Sequence, residues 1–198
     1  MKKPLLSLLL LTLLATVAPA QSQSPDAVRS DAIMKKVSKL DVLIQVVPLL
    51  LTKEQFPPIL GAIEKVHQKQ KELYAQEAKD LTTIEAELSK AVDDGVKKNV
   101  YPPREVQIKV AGLLRASGIR RNLFYNEMVD LVFDACKKTL NAGQIKTMEK
   151  SLKPELLDPS IKVDTMDSDA KVKFFIRKVI LDPNAYDVLI DMSKRKED

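Results

Sequence analysis

From Ile59 to Val92 the chain keeps one face apolar. Ile59, Ile63, Val66, Leu73, Leu81, Ile84, Leu88 and Val92 follow a spacing of three to four residues, with Gln70 and Glu77 filling the two gaps. Strands alternate with a period of two, so this spacing predicts one long helix. At about 1.5 Å per residue it spans on the order of 50 Å. A second stripe, Val106, Val110, Leu113, Ser117, Phe124, Met128, Leu131 and Ala135, predicts another long helix opened by Pro103 and running to Thr139. Asp93-Asp94-Gly95 and Asn99 to Pro103 read as a frayed end and a turn. A connection that short makes the two helices antiparallel neighbours. Gly118, inside the second, costs about 1 kcal/mol relative to Ala and points to close packing or a bend. Only five Gly, no Trp and a charged fraction of 30% also favour helices over a sandwich. The expectation is an all-α fold: an antiparallel long-helix hairpin with shorter N- and C-terminal helices packed on it.

The shorter helices announce themselves by their ends. Ser24-Pro25 is a hydroxyl cap with Pro at the first helical position, and Ile33, Val37, Leu40, Ile44 and Val47 carry a helix over 25–47. Pro48 ends or kinks it. Leu51-Thr52-Lys53-Glu54-Gln55-Phe56 is a capping box, with Thr52 as cap, Gln55 reaching back, and Leu51 and Phe56 as hydrophobic staple. Pro57 and Pro58 predict a kink or restart. Leu140-Asn141-Ala142-Gly143-Gln144-Ile145 repeats the grammar with Asn141 as cap, opening a helix to Leu152. A loop follows over 154–166. Thr165 or Asp167 caps a helix to about Leu181, Asp182-Pro183 starts a last one to about Met192, and a charged tail closes the chain.

The N-terminus has the order of a secretory signal: Lys2-Lys3, an apolar run from Leu5 to Val17, then Ala18-Pro19-Ala20 before polar residues. Cleavage after Ala20 predicts a periplasmic or secreted protein. The apolar run is short for a membrane span and no second one follows. The expected organisation is a signal peptide over 1–20, a helical hairpin domain over 21–153 and a C-terminal helical extension over 154–198, alone or within the same domain. Of 32 basic residues, Lys2 and Lys3 leave with the signal, so 30 face 27 acidic ones, a net charge of about +3. That mild balance, with export, argues against nucleic acid. Cys136 is the single cysteine, so no disulfide forms within the chain. It shares a helical face with Val129, Val132 and Leu140, as a small buried residue would; a bridge between chains is the alternative.

Catalytic chemistry has few candidates. His67 is the single histidine and lies in a basic helical segment, which argues for a solvated surface residue rather than the base of a triad. Glu64 and His67 have the spacing of a di-metal bundle ligand pair, but such sites need that pair twice. No metal or cofactor is therefore expected. An enzyme built on two carboxylates in a cleft is the minority alternative. The basic residues Arg115, Arg120 and Arg121 on the second long helix, and Lys65, Lys69 and Lys71 on the first, read either as a solvated surface or as a face that attracts acidic and unfolded chains.

Leu51-Thr52-x-x-Gln55 and Leu140-Asn141-x-x-Gln144 resemble the paired LTxxQ motifs of the Spy/CpxP group of periplasmic proteins over about residues 51–150. The resemblance implies a helical hairpin with a motif at each helix start, and a homodimer. It further implies an ATP-independent chaperone or envelope-stress adaptor that binds unfolded or envelope proteins. Arg115, Arg120 and Arg121 would then assist capture. The metal-binding members use ligands that have no counterpart here. The competing expectation is a non-catalytic structural or scaffolding protein of the envelope that associates through its helical stripe.

Overall fold

The computed structural model describes residues 24–151 and 166–195. The expected signal segment, nearly all of the 154–166 loop and the last residues of the tail lie outside them. The chain divides into two compact units, residues 1–38 and 39–198. All regular elements among the described residues are helical, so the fold is all-α.

Helix α1 (Pro25–Val46) begins in the first unit and ends in the second. Ser24 caps it, its Oγ accepting from the Ala27 N–H at 3.2 Å. Pro48 converts the following residues, Val47–Leu49, to a 3-10 turn, and Leu50 then turns the chain in the left-handed region at φ 50°. That conformation costs a residue with a Cβ roughly 1–2 kcal/mol. The stripe by which the sequence marks α1 does not face inward: Ile33, Val37, Leu40, Ile44 and Val47 are all exposed. Val42, Val46 and Leu49 are the buried residues of this segment.

A 3-10 turn at Lys53–Gln55 leads into α2 (Phe56–Thr82). Pro57 and Pro58 thus occupy the first positions of a helix, where their missing N–H groups have no helical partner to lose. The expected unbroken helix to Val92 is corrected by a break at Thr83-Ile84, after which α3 runs over Glu85–Lys98. Thr82 Oγ1 donates to the Ala78 carbonyl at 2.9 Å and Thr83 Oγ1 to that of Asp80 at 2.6 Å. Hydroxyls that engage backbone carbonyls in this way compete with helix propagation. The break also resets the phase. Beyond Thr83, Ile84 and Ala91 turn inward while Leu88 and Val92 are exposed; Leu81, just before the break, is already exposed. Asp93-Asp94-Gly95, expected to fray, is helical instead. Lys90 and Lys98 clamp Asp94 one turn away on either side, at 2.5 and 2.7 Å, and Asn99 ends α3 at φ 54°.

Helix α4 (Arg104–Thr139) returns beside α2 and α3. Lys69 meets Glu127, Glu77 meets Arg121, Asp80 meets Arg120 and Glu87 meets Lys109. Partners fall in number along α4 as they rise along α2 and α3, which makes the pair antiparallel. A Cβ at Gly118 would meet no atom within 4 Å, so this glycine serves no close packing. Helices α5 (Ala142–Ser151), α6 (Ser168–Phe175, continued by a π turn at Ile176–Ile180) and α7 (Ala185–Ser193) complete the fold. Asp167 caps α6, accepting from the Ala170 N–H at 2.7 Å.

The core gathers at one end of the hairpin. Phe56, Ile59, Ile63 and Val66 of α2 join Phe124, Met128, Val132, Phe133 and Cys136 of α4. Val172, Phe175, Ile176, Val188 and Leu189, from the segment that the sequence sets apart as an extension, belong to the same cluster. Cys136 lies within it, and burial pushes its thiol up to about 12, so the buried-residue reading describes its setting.

Candidate functional site

The two motifs, 89 residues apart in the chain, meet at the base of the hairpin. Each glutamine accepts from the backbone N–H of its own cap: Gln55 Oε1 from Thr52 at 3.0 Å, Gln144 Oε1 from Asn141 at 2.9 Å. The two amides then pair reciprocally. Gln55 Nε2 donates to Gln144 Oε1 at 2.9 Å, and Gln144 Nε2 donates to Gln55 Oε1 at 2.8 Å. Their remaining hydrogens cross over to the backbone before the other motif. Gln55 reaches the Thr139 carbonyl at 3.0 Å, and Gln144 reaches that of Leu49 at 3.0 Å. Both donors and both lone pairs of each amide are used. A capping box accepts Glu as readily as Gln, but only an amide can donate and accept at once, which accounts for Gln in both copies.

The motif's other residues are structural. Asn141 Oδ1 accepts from the Gln144 N–H at 3.0 Å, so its replacement of Thr preserves the cap. Leu140 is buried, and Leu51 and Ile145 pack partly buried against the core. Glu54, within the first motif, has its carboxyl held below the ordinary value by its backbone N–H and then by the Thr52 hydroxyl.

The hairpin's second buried polar residue is Glu77, 7% exposed. Arg121 grips it with two parallel hydrogen bonds, Nε to Oε1 at 2.8 Å and a terminal nitrogen to Oε2 at 2.7 Å, and the Ser117 hydroxyl donates to Oε1. The guanidinium, more than the opposing effect of burial, holds the Glu77 carboxyl below its usual value. Arg120 pairs with Asp80 beside it and lowers that carboxyl in the same way. Two of the three arginines offered by the sequence for capture are thus engaged across the hairpin. Sequence reasoning passed over Glu77 as a gap in a stripe. A carboxylate on an apolar face, with a basic pair on the facing helix, was the available signal.

Arg115 is placed differently. It lies on the outer face of α4, one or two turns from Ile108, Gly112, Ile119 and Leu123. Ile108, Ile119 and Leu123 are 56–66% exposed. Lys69 is tied to Glu127, while Lys65 and Lys71 are exposed. Glu64 and His67 both turn to Tyr186: its hydroxyl donates to Glu64 Oε1 at 2.6 Å, and the His67 ring meets the tyrosine edge-on at 5.3 Å. Among the described residues no group of three acidic, His or Cys side chains is arranged to hold a metal ion, and no helix is long and apolar enough to cross a membrane.

Compared with known proteins, the chain matches no family model, no curated protein and no solved structure.

Proposed function

We propose that the protein is an exported, non-catalytic holdase or envelope-stress adaptor that captures unfolded or partner proteins without ATP. The observation that carries this reading is the outer face of α4. There Ile108, Ile119 and Leu123 stand exposed around Arg115 on a helix whose opposite face is packed. Exposed aliphatic area of this kind holds apolar segments, and a lone guanidinium adds weak attraction for acidic ones. The paired motifs of the Spy/CpxP type support the reading through the resemblance they carry. Arg120 and Arg121 support it indirectly, by holding the hairpin in register.

The test is aggregation of a diluted, chemically denatured client followed by light scattering, with no nucleotide present. The intact protein suppresses scattering at near-stoichiometric amounts and does so less well in high salt. Arg115→Ser combined with Ile119→Ser loses most of that suppression while keeping the helical circular dichroism of the parent. Full suppression by this variant contradicts capture on α4. The scaffolding alternative has one observation in its favour, the exposed stripe of α1, and gains if the intact protein shows no suppression at any ratio.

A further inference from the structure

A cavity of about 390 Å³ opens between α4 and the π turn that continues α6. Its rim on α4 is polar: Asn122, Tyr125 and Asn126 lie within one helical turn, and all three are exposed. Buried Met128 and Val129, with half-buried Leu181, make an apolar floor. Arg177, on the π turn, supplies the single charge of the lining. In that turn the Leu181 N–H donates to the Ile176 carbonyl at 2.9 Å, five residues back. Such turns are rare and recur at functional sites.

The polar groups of the lining are poorly used within the chain. Arg177 has no carboxylate partner among the described residues, and its hydrogen bond to Asn126 Oδ1 is long, at 3.4 Å. The Asn122 amide and the Tyr125 hydroxyl make no hydrogen bond among the described residues. The carboxylates next to the rim on α4 are engaged elsewhere, Glu127 by Lys69 and Asp130 by Lys173.

We propose that this cavity binds the C-terminal residue of a peptide chain, with its carboxylate on Arg177 and its apolar side chain on the floor. A guanidinium holds a carboxylate by two parallel hydrogen bonds, and the amide hydrogens of Asn122 and Asn126 supply further donors at the rim. The volume equals about a dozen water molecules, room for one carboxylate and one side chain. A bare inorganic anion would leave the apolar floor unfilled. A chain end is favoured over a small free acid because the outer face of α4 leads into the rim. Ile108, Arg115, Ile119, Asn122 and Asn126 are spaced by seven, four, three and four residues, which keeps them on one side of the helix. Ile119 and Asn126 are about 10 Å apart along the axis, the reach of roughly three extended residues. A chain that ends in the cavity therefore lays its preceding residues on this face. The inference goes beyond capture and does not rest on it.

Fluorescence anisotropy of a labelled pentapeptide, alanines ending in leucine, titrated with the purified protein tests this. The free carboxylate binds with a dissociation constant on the order of 100 μM, and the C-terminal amide binds at least about tenfold more weakly. Ending the peptide in aspartate instead of leucine costs about tenfold. Arg177→Gln weakens the free acid about tenfold with an unchanged urea midpoint, because Arg177 is exposed and only loosely bonded. N-acetyl-leucine competes at least about tenfold less well than the pentapeptide, since it lacks the residues that lie along α4. Equal binding of acid and amide overturns the proposal, as does indifference to Arg177→Gln or no binding at millimolar protein. Equal competition by N-acetyl-leucine assigns the cavity to small free acids and overturns it too. None of these readings needs suppression of client aggregation, so failure of this site and failure of capture are told apart.

Discussion

The two ends of the hairpin are held by different forces. At the base, α2 and α4 bury Phe56, Ile59, Ile63, Val66, Phe124, Met128 and Val132 against α6 and α7, and the amide pair of Gln55 and Gln144 closes the joint. In the arm, beyond Leu73, the apolar residues buried along α2, the break and α3 are Ile84 and Ala91. There the helices are joined by Glu77–Arg121, Asp80–Arg120 and Glu87–Lys109. Burial of apolar area is insensitive to moderate salt and pH, whereas an exposed ion pair such as Glu87–Lys109 contributes at most about 1 kcal/mol and is screened, which leaves the buried Glu77 carboxylate with Arg121 as the firmest link of the arm. A base that unfolds only globally and an arm that opens locally follow from that contrast. The proposed capture face runs along the weakly packed arm.

The largest effect is expected from the base. Phe175→Ala, at a side chain with no exposure, removes about 3–5 kcal/mol from the unfolding free energy measured in urea. Next comes the joint itself. Gln144→Ala leaves the Leu49 carbonyl, the Asn141 N–H and one side of Gln55 without their partners, at a cost of about 2–4 kcal/mol. Gln144→Glu, nearly the same in shape, does no better at neutral pH, because it directs a carboxylate at the Leu49 carbonyl and Gln55 Oε1. A tolerated Gln144→Glu therefore removes the reciprocal amide pair from the account.

In the arm, Arg121→Ala strands a buried carboxylate with Ser117 alone and costs about 1–3 kcal/mol. Its signature is faster hydrogen exchange in α3 and the first half of α4, with the base unchanged. Acid acts on the same groups. Glu77 and Asp80 have folded values lowered by their arginines, and Asp94, between Lys90 and Lys98, is lowered to about 2. For a lowered carboxylate the stabilisation is complete above the unfolded value of about 4 and is lost as pH falls through the folded one. The arm is therefore indifferent to pH between 7 and 5 and loosens below about 4, before the base does. The smallest change is a gain. Gly118→Ala meets no neighbour and raises stability by about 0.5–1 kcal/mol, read as a higher urea midpoint.

The same contrast explains what the sequence reveals. Caps and periodicity are local, and the helical class, both capping boxes and the inner face of α4 are legible from them. So is the inner face of α2 as far as Glu77. The break at Thr83 is not, because two hydroxyls turned back onto their own carbonyls leave the apolar count intact. Helix α1 misleads for another reason. It has two apolar faces, and only tertiary packing decides that Val42 and Val46 go inward rather than Leu40 and Ile44. Arg120 and Arg121 read as free cations because their carboxylates lie 40 and 44 residues away. The amide pair is the converse case: both halves are visible as motifs, and only the fold reveals that they bind each other.

Native-state hydrogen exchange resolved along α2, α3 and α4, at low and high salt, tests the division into base and arm most directly. The account predicts strong, salt-independent protection over residues 59–66 and 124–136, and weaker protection over 82–110 that falls further in salt. Equal protection along the whole hairpin, unchanged by salt, would contradict it.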